Sequence, residues 1–206
     1  KVAVLGSGVM GSGIACHLAN SGLEVLMLDI LSPNLDDQQK SNKALRNRIA
    51  DTSLANAIKS KPAPLYDAAF ATRITTGNFE DDMDKISACD WIIEVVVERL
   101  DIKKTIFAQV DNLRKTGSLV TSNTSGIPIG QLAEGRSEDF KKHFCGTHFF
   151  NPSRYLRLLE IIPTPYTDPS VVDFLMHYGD LQLGKTTVLC KDTPAFIANR
   201  IGVFSM

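Results

Sequence analysis

The sequence predicts an α/β fold with a mostly parallel sheet, because short apolar runs alternate along the chain with segments of helical periodicity. The runs Val2–Leu5 and Val25–Leu28 end at a glycine and an aspartate, and a helical pattern over Met10–Asn20 separates them. A third apolar run, Trp91–Val97, is interrupted only by Glu94. Continuous apolar runs of this length are typical of strands that are buried on both faces, as in a parallel sheet.

The remaining elements follow the same alternation. Ser32-Pro33 predicts the start of a long polar helix that continues to about Ile58, and Ala68–Thr76 predicts a short helix and a strand before a turn at Gly77-Asn78. The other predicted elements, in order, are a helix over Leu100–Leu113, strands over Ser118–Ser122, Phe144–Phe149 and Leu158–Ile162, a helix over Val171–Leu181, an extended segment over Thr186–Leu189, and a last helix from Thr193-Pro194 that carries Phe196, Ile197, Ile201 and Phe204.

Composition excludes several classes of protein. The 206 residues are 44% hydrophobic and 22% charged, as in ordinary globular domains. A net charge of −1 provides no general field for nucleic acid or an anionic membrane, and no apolar run approaches the roughly 20 residues that cross a bilayer. We therefore expect no nucleic-acid partner and no membrane partner.

The four cysteines have no spacing that is typical of a zinc site or of a redox pair; they are Cys16, Cys89, Cys145 and Cys190. Reduced thiols, a cytoplasmic location and no bound metal are the expectation. The chain opens directly on apolar residues without a recognisable signal peptide and stops shortly after a helical pattern has begun. It therefore resembles a piece of a longer protein.

A glycine-rich motif lies between the first strand and the first helix. Gly6, Gly8 and Gly11 fit the pattern G-x-G-x-x-G, and Asp29 ends the next strand. Glycines at this spacing permit a tight turn and the close approach of a diphosphate, while Asp29 suits ribose hydroxyls and would repel the extra phosphate of NADP. The context predicts a Rossmann-type, doubly wound sheet that binds NAD, with Val9 and Met10 in the same turn. The alternative is a glycine turn used only for packing.

His148 and Glu160 lie on two candidate strands on either side of Asn151-Pro152, so a chain reversal could bring them together. A histidine held by a carboxylate has a fixed tautomer and can take a proton near neutral pH. The spacing alone equally suits a buried structural histidine whose ring nitrogens are hydrogen-bonded to a neighbouring group. Cys145 precedes His148 by three residues, which places the two side chains on opposite faces of a strand and argues against a Cys/His nucleophile.

Polar residues follow two other strands. Ser122–Gly126 is rich in hydroxyl and amide groups and suits either a ligand site at the carboxyl edge of the sheet or a hydrogen-bonded turn. Glu98 and Lys103, just beyond the third strong strand, are placed for ligand contact. A basic segment from Lys40 to Lys61, in which Asp51 is the only acid, suits either a phosphate-bearing substrate or a solvated helix face.

Taken together, these motifs resemble the L-3-hydroxyacyl-CoA dehydrogenase family, and most of all the dehydrogenase part of bacterial multifunctional fatty-acid oxidation proteins. The resemblance covers nearly the whole chain; its motifs are LGSGVMG at Leu5–Gly11, Asp29, EVVVERLDIKK at Glu94–Lys104, SNTSG at Ser122–Gly126, GTHFFNP at Gly146–Pro152, LLEII at Leu158–Ile162 and KDTPAFIANRI at Lys191–Ile201.

The resemblance implies NAD-dependent oxidation of a 3-hydroxyacyl-CoA to the 3-ketoacyl-CoA in fatty-acid β-oxidation. It implies His148 as the general base, Glu160 as the residue that orients and stabilises it, and Ser125 and Asn199 as substrate contacts. The implied cofactor-binding residues are Gly6, Gly8, Val9, Met10, Gly11, Asp29, Glu98, Lys103, Ser125 and Asn151. Two rival functions remain: a dehydrogenase of a free hydroxy or sugar acid, and a non-catalytic cofactor-binding protein.

Members of the family carry an all-helical domain after the NAD-binding part. We therefore expect residues 1–190 to form the NAD-binding domain and residues 191–206 to be a linker and the truncated first helix of that helical domain. The resemblance implies a homo-oligomer for the full-length protein, and we expect the 206 residues alone to bind NAD but to turn over substrate weakly. An exposed apolar face formed by Phe196, Ile201 and Phe204 is also expected.

Overall fold

The computed structural model describes residues 1–205 and contains a single sheet with helices on both faces. The eight strands are β1 Val2–Leu5, β2 Val25–Asp29, β3 Ile74–Asn78, β4 Trp91–Glu94, β5 Leu119–Ser122, β6 Phe144–Phe149, β7 Leu158–Pro163 and β8 Thr186–Leu189. The α-helices are α1 Val9–Asn20, α2 Lys43–Arg46, α3 Arg48–Lys59, α4 Leu100–Leu113, α5 Ile129–Ala133, α6 Glu138–Lys142, α7 Pro169–Leu181 and α8 Ala198–Phe204. Short 3₁₀ helices cover Gln39–Ser41, Ala68–Arg73 and Met83–Ala88.

The strand order is β3-β2-β1-β4-β5-β6-β7-β8, and every neighbouring pair is parallel except β6 and β7. The order reverses direction between β1 and β4, so the crossovers from these two strands leave on opposite faces of the sheet. This is the doubly wound Rossmann arrangement that the sequence predicts, with its crevice at the carboxyl ends of β1 and β4.

Two hydrophobic cores cover the two faces of the sheet. Along β1, Val2 and Val4 pack into one core with α1 and α7, whereas Ala3 and Leu5 pack into the other with α4 and α5. All four residues of β1 are buried. The continuous apolar run is therefore explained by burial on both sides.

The long helix predicted from Ser32 does not form. The chain after β2 has no regular structure until the 3₁₀ helix at Gln39–Ser41, and Asn34 takes a φ of 60°. Asn42 then accepts hydrogen bonds from the backbone N–H groups of Ala44 and Leu45 and caps the separate, four-residue α2. Asn47 then precedes α3, which is the only long helix of the segment. Asparagine favours left-handed and capping conformations, and here three asparagines divide the predicted helix.

Two other boundaries differ from prediction. Gly77 and Asn78 are the last residues of β3 rather than a turn, because both pair with the end of β2. β4 stops at Glu94 instead of Val97, since the Glu94 side chain accepts the N–H of Val96 at 2.7 Å and the backbone beyond it leaves the ladder.

The last helix begins at Ala198, not at Thr193. Ala195 and Phe196 have φ values of 63° and 46°, a conformation that cannot continue a right-handed helix. The exposed apolar face predicted for this helix includes Ile201 and Phe204, but Phe196 is 2% exposed and packs inside the second core. No helix among residues 1–205 combines the length and the apolar character that a bilayer crossing needs.

Candidate active site

The glycine turn occupies the point where the strand order reverses. Gly6 follows β1 with a φ of +107°, and a Cβ atom there would lie 2.6 Å from the carbonyl oxygen of Val95, which follows β4. A Cβ atom on Gly11 would lie 1.9 Å from the carbonyl oxygen of Gly6. Both positions therefore require glycine, the first for its backbone conformation and both for close approach.

The first turn of α1 is open toward this edge of the sheet. Nothing lies within 4 Å of a Cβ atom built on Gly8, Val9 is 74% exposed, and α1 has no side-chain cap. Its first backbone N–H groups and the positive end of its dipole are thus available to an anion. These features fit the diphosphate of a dinucleotide. Met10, by contrast, is half-buried and packs on the first core.

Asp29 is partly exposed at the end of β2. One carboxylate oxygen accepts from the backbone N–H and the hydroxyl of Ser7 at 2.6 and 2.5 Å, and the other accepts from Ile30 N at 2.7 Å. These contacts fix the carboxylate beside the glycine turn while leaving lone pairs for ribose hydroxyls. Sequence reasoning did not find the role of Ser7, which has no signal beyond its place inside the glycine motif.

His148 and Glu160 face each other across β6 and β7, where they are direct cross-strand partners. Nδ1 of His148 lies 2.7 Å from Oε2 of Glu160, and both side chains are buried. Because a carboxylate accepts hydrogen bonds, Nδ1 carries the proton and Nε2 is left as an acceptor. The other oxygen of Glu160 accepts from Ile197 N at 3.1 Å and Ala198 N at 2.8 Å, at the start of α8.

Ser125 completes this group from the loop that follows β5. Its hydroxyl lies 3.2 Å from Nε2 of His148 and is placed to donate to that atom. Two aromatic rings flank the imidazole, Phe150 with its centroid at 4.4 Å and Phe196 at 5.7 Å. The second ring nitrogen of His148, Nε2, therefore meets a hydroxyl beside an apolar wall, which is an arrangement that can take a proton from a bound alcohol.

Glu98 holds the loop that carries Ser125. Its Oε1 accepts from the hydroxyl of Thr124 and from the backbone N–H groups of Ser125 and Gly126, both at 3.1 Å. Partial burial raises the pKa of Glu98, but the Thr124 hydrogen bond and the charge of Lys103 outweigh it, so the pKa lies below its ordinary value. Glu98 is thus an ionised residue that fixes Ser125 opposite His148.

Lys103 lies beneath Glu98 rather than at the surface. It is 1% exposed, and its ammonium contacts Glu94 at 2.7 Å, Glu98 at 3.3 Å and the carbonyl of Val96 at 3.2 Å. Glu94 also accepts from the hydroxyl of Ser122 at 2.5 Å, and burial raises the pKa of Glu94 against the opposing charge of Lys103. The Lys103 ammonium thus has two hydrogen bonds and two carboxylate neighbours within the protein, and cofactor contact by Lys103 stays a prediction.

Two predicted asparagines are placed at the edges of the site. Asn151 lines a cleft of about 410 Å³ together with Gly8 and Val9, which puts it opposite the glycine turn. Asn199 lies in the first turn of α8, next to the residues that bind Glu160. A further residue, Asn123, supports the histidine strand: its side-chain oxygen accepts the N–H of Phe149 at 2.8 Å. Only its place within the polar run Ser122–Gly126 could have indicated it.

The basic segment is partly neutralised. Arg46 forms two hydrogen bonds with Asp81, at 2.6 and 2.7 Å, and Lys40 pairs with Asp37. The partner of Arg46 lies 35 residues away in sequence, so the charge of the segment alone overstates the local positive charge. Phosphate binding by this segment stays a prediction.

A Rossmann sheet with an open glycine turn, an acidic residue at the end of β2 and a buried His/Glu pair defines a dinucleotide-binding domain of the dehydrogenase class. Residues 1–193 match the sequence model of the family described as "3-hydroxyacyl-CoA dehydrogenase, NAD binding domain". The chain belongs to this family, and NAD is the cofactor of its domain.

Similar proteins and a similar crystal structure carry names that agree with this family assignment. The chain is 56% identical to a "Probable 3-hydroxyacyl-CoA dehydrogenase" of Bacillus subtilis, over all of this chain and 27% of that protein. It is 45% identical to a protein of the same name from Deinococcus radiodurans, over 57% of that protein. The crystal structure of 3-hydroxybutyryl-CoA dehydrogenase from Escherichia coli superposes with a TM-score of 0.74 at 32% identity, over 98% of this chain and 40% of that one. The chain thus spans about a quarter to about half of the curated relatives it matches.

Proposed function

We propose that this domain belongs to an enzyme that oxidises L-3-hydroxyacyl-CoA to 3-ketoacyl-CoA with NAD⁺, as a step of fatty-acid β-oxidation, and that His148 is its general base. The observation that carries the proposal is the buried contact between His148 and Glu160, with Ser125 on the free nitrogen of the imidazole. The names of the relatives supply the substrate class.

In the proposed reaction, Nε2 of His148 takes the proton of the 3-hydroxyl group and Ser125 hydrogen-bonds the same oxygen. NAD⁺, when bound, accepts the hydride from C3. The imidazolium that forms lies against the Glu160 carboxylate, which stabilises it more strongly than it does the neutral ring of the ground state. The apolar walls of Phe150 and Phe196 strengthen this attraction by excluding water.

Replacement of the base tests the proposal. In the full natural chain, His148→Gln should lower kcat for NADH formation from 3-hydroxybutyryl-CoA by about 10²- to 10⁴-fold and leave NADH affinity unchanged. His177→Gln is the matched control, because His177 is exposed on α7. Wild-type turnover by His148→Gln would contradict the proposal and favour a non-catalytic protein.

The substrate class needs its own measurement. Comparing kcat/KM for 3-hydroxybutyryl-CoA with that for free 3-hydroxybutyrate separates a CoA-ester enzyme from a dehydrogenase of free hydroxy acids. Preference for the free acid would retain the role of His148 but overturn the proposed substrate.

We further propose that residues 1–190 form the NAD-binding domain and that residues 191–206, of which Met206 lies outside the described residues, form a linker and the start of a helical domain. The left-handed residues Ala195 and Phe196 support a break at this point. Ile201 and Phe204 on α8 are 64% and 94% exposed, as expected of a helix that packs on another unit.

A further inference from the structure

Two lysines are buried among residues 1–205, and they have opposite environments. Lys103 contacts two carboxylates, whereas Lys185 is 3% exposed and burial alone shifts its pKa, with no charge partner among the described residues. A buried ammonium without a counterion opposes folding, and lysine is rarely buried unless it is paired. The presence of a lysine at position 185 therefore needs an explanation beyond packing.

The Lys185 ammonium binds backbone rather than side chains. It donates to the carbonyl of Ser153 and, at 2.9 Å, to the carbonyl of Leu156, and it lies 5.8 Å from the centre of the Phe149 ring. All three partners belong to the end of β6 or to the loop between β6 and β7. Burial lowers the pKa of Lys185 to about 8, so the group is still mostly charged at neutral pH.

This loop, residues 150–157, forms a wall of the cleft at the glycine turn. Asn151, Pro152, Ser153 and Arg154 face Gly8, Val9, Ser12 and Gly13 across that cleft. The spacing is tight, because a Cβ atom on Gly13 would lie 3.3 Å from the hydroxyl oxygen of Ser153. That hydroxyl oxygen is buried and has no hydrogen-bond partner in the protein. A small movement of the loop would therefore change the width of the cleft.

We propose that Lys185 is a positioning residue for the cofactor cleft: its ammonium ties the Ser153 and Leu156 carbonyls together and holds the loop 150–157 at a fixed distance from the first turn of α1. A lysine ammonium has three N–H donors and can therefore satisfy both convergent carbonyls at this depth, with charge-assisted hydrogen bonds. The inference rests on NAD binding at the glycine turn, and it assigns to Lys185 no contact with the cofactor or the substrate.

The test measures NADH affinity and loop protection in the full natural chain. Lys185→Met removes the charge and both hydrogen bonds but keeps most of the side-chain volume. It should raise the Kd for NADH at least tenfold and accelerate hydrogen exchange at the amides of Tyr155 and Leu156, which are bonded to the carbonyl of Pro152. Its Tm should fall only moderately, because the cost of the buried charge disappears while the two carbonyls lose their donor.

Two further variants make the result specific. Lys185→Arg, which keeps a charged donor, should restore affinity to within about threefold of the wild type. Lys115→Met is the control, since Lys115 pairs with Asp90 at the opposite edge of the sheet and should leave the Kd unchanged.

An unchanged Kd and unchanged exchange in Lys185→Met would overturn the inference, as would a large loss of Tm without any loss of affinity. If Lys185→Met does not fold, Lys185→Leu, which also lacks a donor, replaces it, and wild-type affinity in that variant would equally overturn the inference. Failure of the wild type to bind NADH would instead refute the glycine turn as a cofactor site, which separates the two proposals.

Discussion

Both carboxylate oxygens of Glu160 accept hydrogen bonds. One oxygen binds His148 and the other binds the backbone N–H groups of Ile197 and Ala198. The carboxylate is thereby fixed in position, which in the proposed reaction would preorganise it for the charge that develops on the imidazole. The same residue joins the active-site strand to the start of α8.

Removing the charge of Glu160 should abolish most of the proposed dehydrogenase activity without unfolding the protein. We expect Glu160→Gln to lower kcat by roughly 10²- to 10⁴-fold, because a neutral amide stabilises the imidazolium poorly and can impose the wrong tautomer. Steady-state NADH formation measures the fall in kcat, and NADH titration measures cofactor affinity separately. Glu138→Gln, at a mostly exposed side chain on α6, should behave as the wild type. Unaltered kcat in Glu160→Gln would refute the proposed pair.

At the scale of elements, most strands and helices could be predicted because burial on both faces imposes continuous apolar runs. α4 has the predicted bounds, Leu100–Leu113, and β6 the predicted bounds, Phe144–Phe149. Two of the wrong boundaries lie where side chains bind backbone locally: Asn42 starts a separate helix and Glu94 ends a strand early. Such contacts have no periodicity, so a pattern of apolar residues cannot reveal them.

The residues of the candidate site also fall into two groups, those that the sequence could predict and those that it could not. His148, Glu160 and the glycine turn could be found from motif and strand placement. The glycine turn follows β1 at the carboxyl edge of the parallel sheet, and the chain reversal between β6 and β7 pairs His148 with Glu160. Ser7, Asn123 and Lys185 could not, since each acts through a contact with backbone or with a residue distant in sequence.

The buried pair that joins β4 to α4 makes a testable contribution to stability. Lys103→Met leaves the Glu94 carboxylate without its cation and should lower the free energy of unfolding by about 3–5 kcal/mol in urea titrations. The double variant Glu94→Gln/Lys103→Met should recover part of this loss. Lys104→Met, which breaks the largely exposed pair with Glu134, should cost less than about 1 kcal/mol. Equal losses from Lys103→Met and Lys104→Met would contradict this account.

At the scale of the whole molecule, the first helix is tied to the end of the sheet. His17 of α1 bonds through Nε2 to the carbonyl of Leu183 at 3.0 Å, across 166 residues of sequence. Burial, followed by the charge of Lys185, lowers the pKa of His17 to about 4. The folded protein therefore keeps this imidazole neutral where an unfolded chain would protonate it.

This shift predicts a specific loss of stability in acid. Between pH 6.5 and about 4 the unfolded chain binds a proton at His17 and the folded chain does not, so the free energy of unfolding falls by about 3 kcal/mol. The contribution is complete above pH 6.5 and is lost toward pH 4. His17→Gln, which can still donate to Leu183, should flatten this part of the curve in denaturant titrations at several pH values. An unchanged slope would show that other groups cause the acid loss.

The opposed placement of His148 and Glu160 on β6 and β7 has a consequence for how sequence changes are tolerated. Successive side chains of a strand alternate between faces, so inserting a single residue within β7 would turn the carboxylate away from the imidazole while leaving the fold recognisable. The same insertion within residues 150–157 would only lengthen the loop between β6 and β7 and would leave their pairing unchanged. The proposed activity would thus be lost through misalignment alone, although every residue of the site is still encoded.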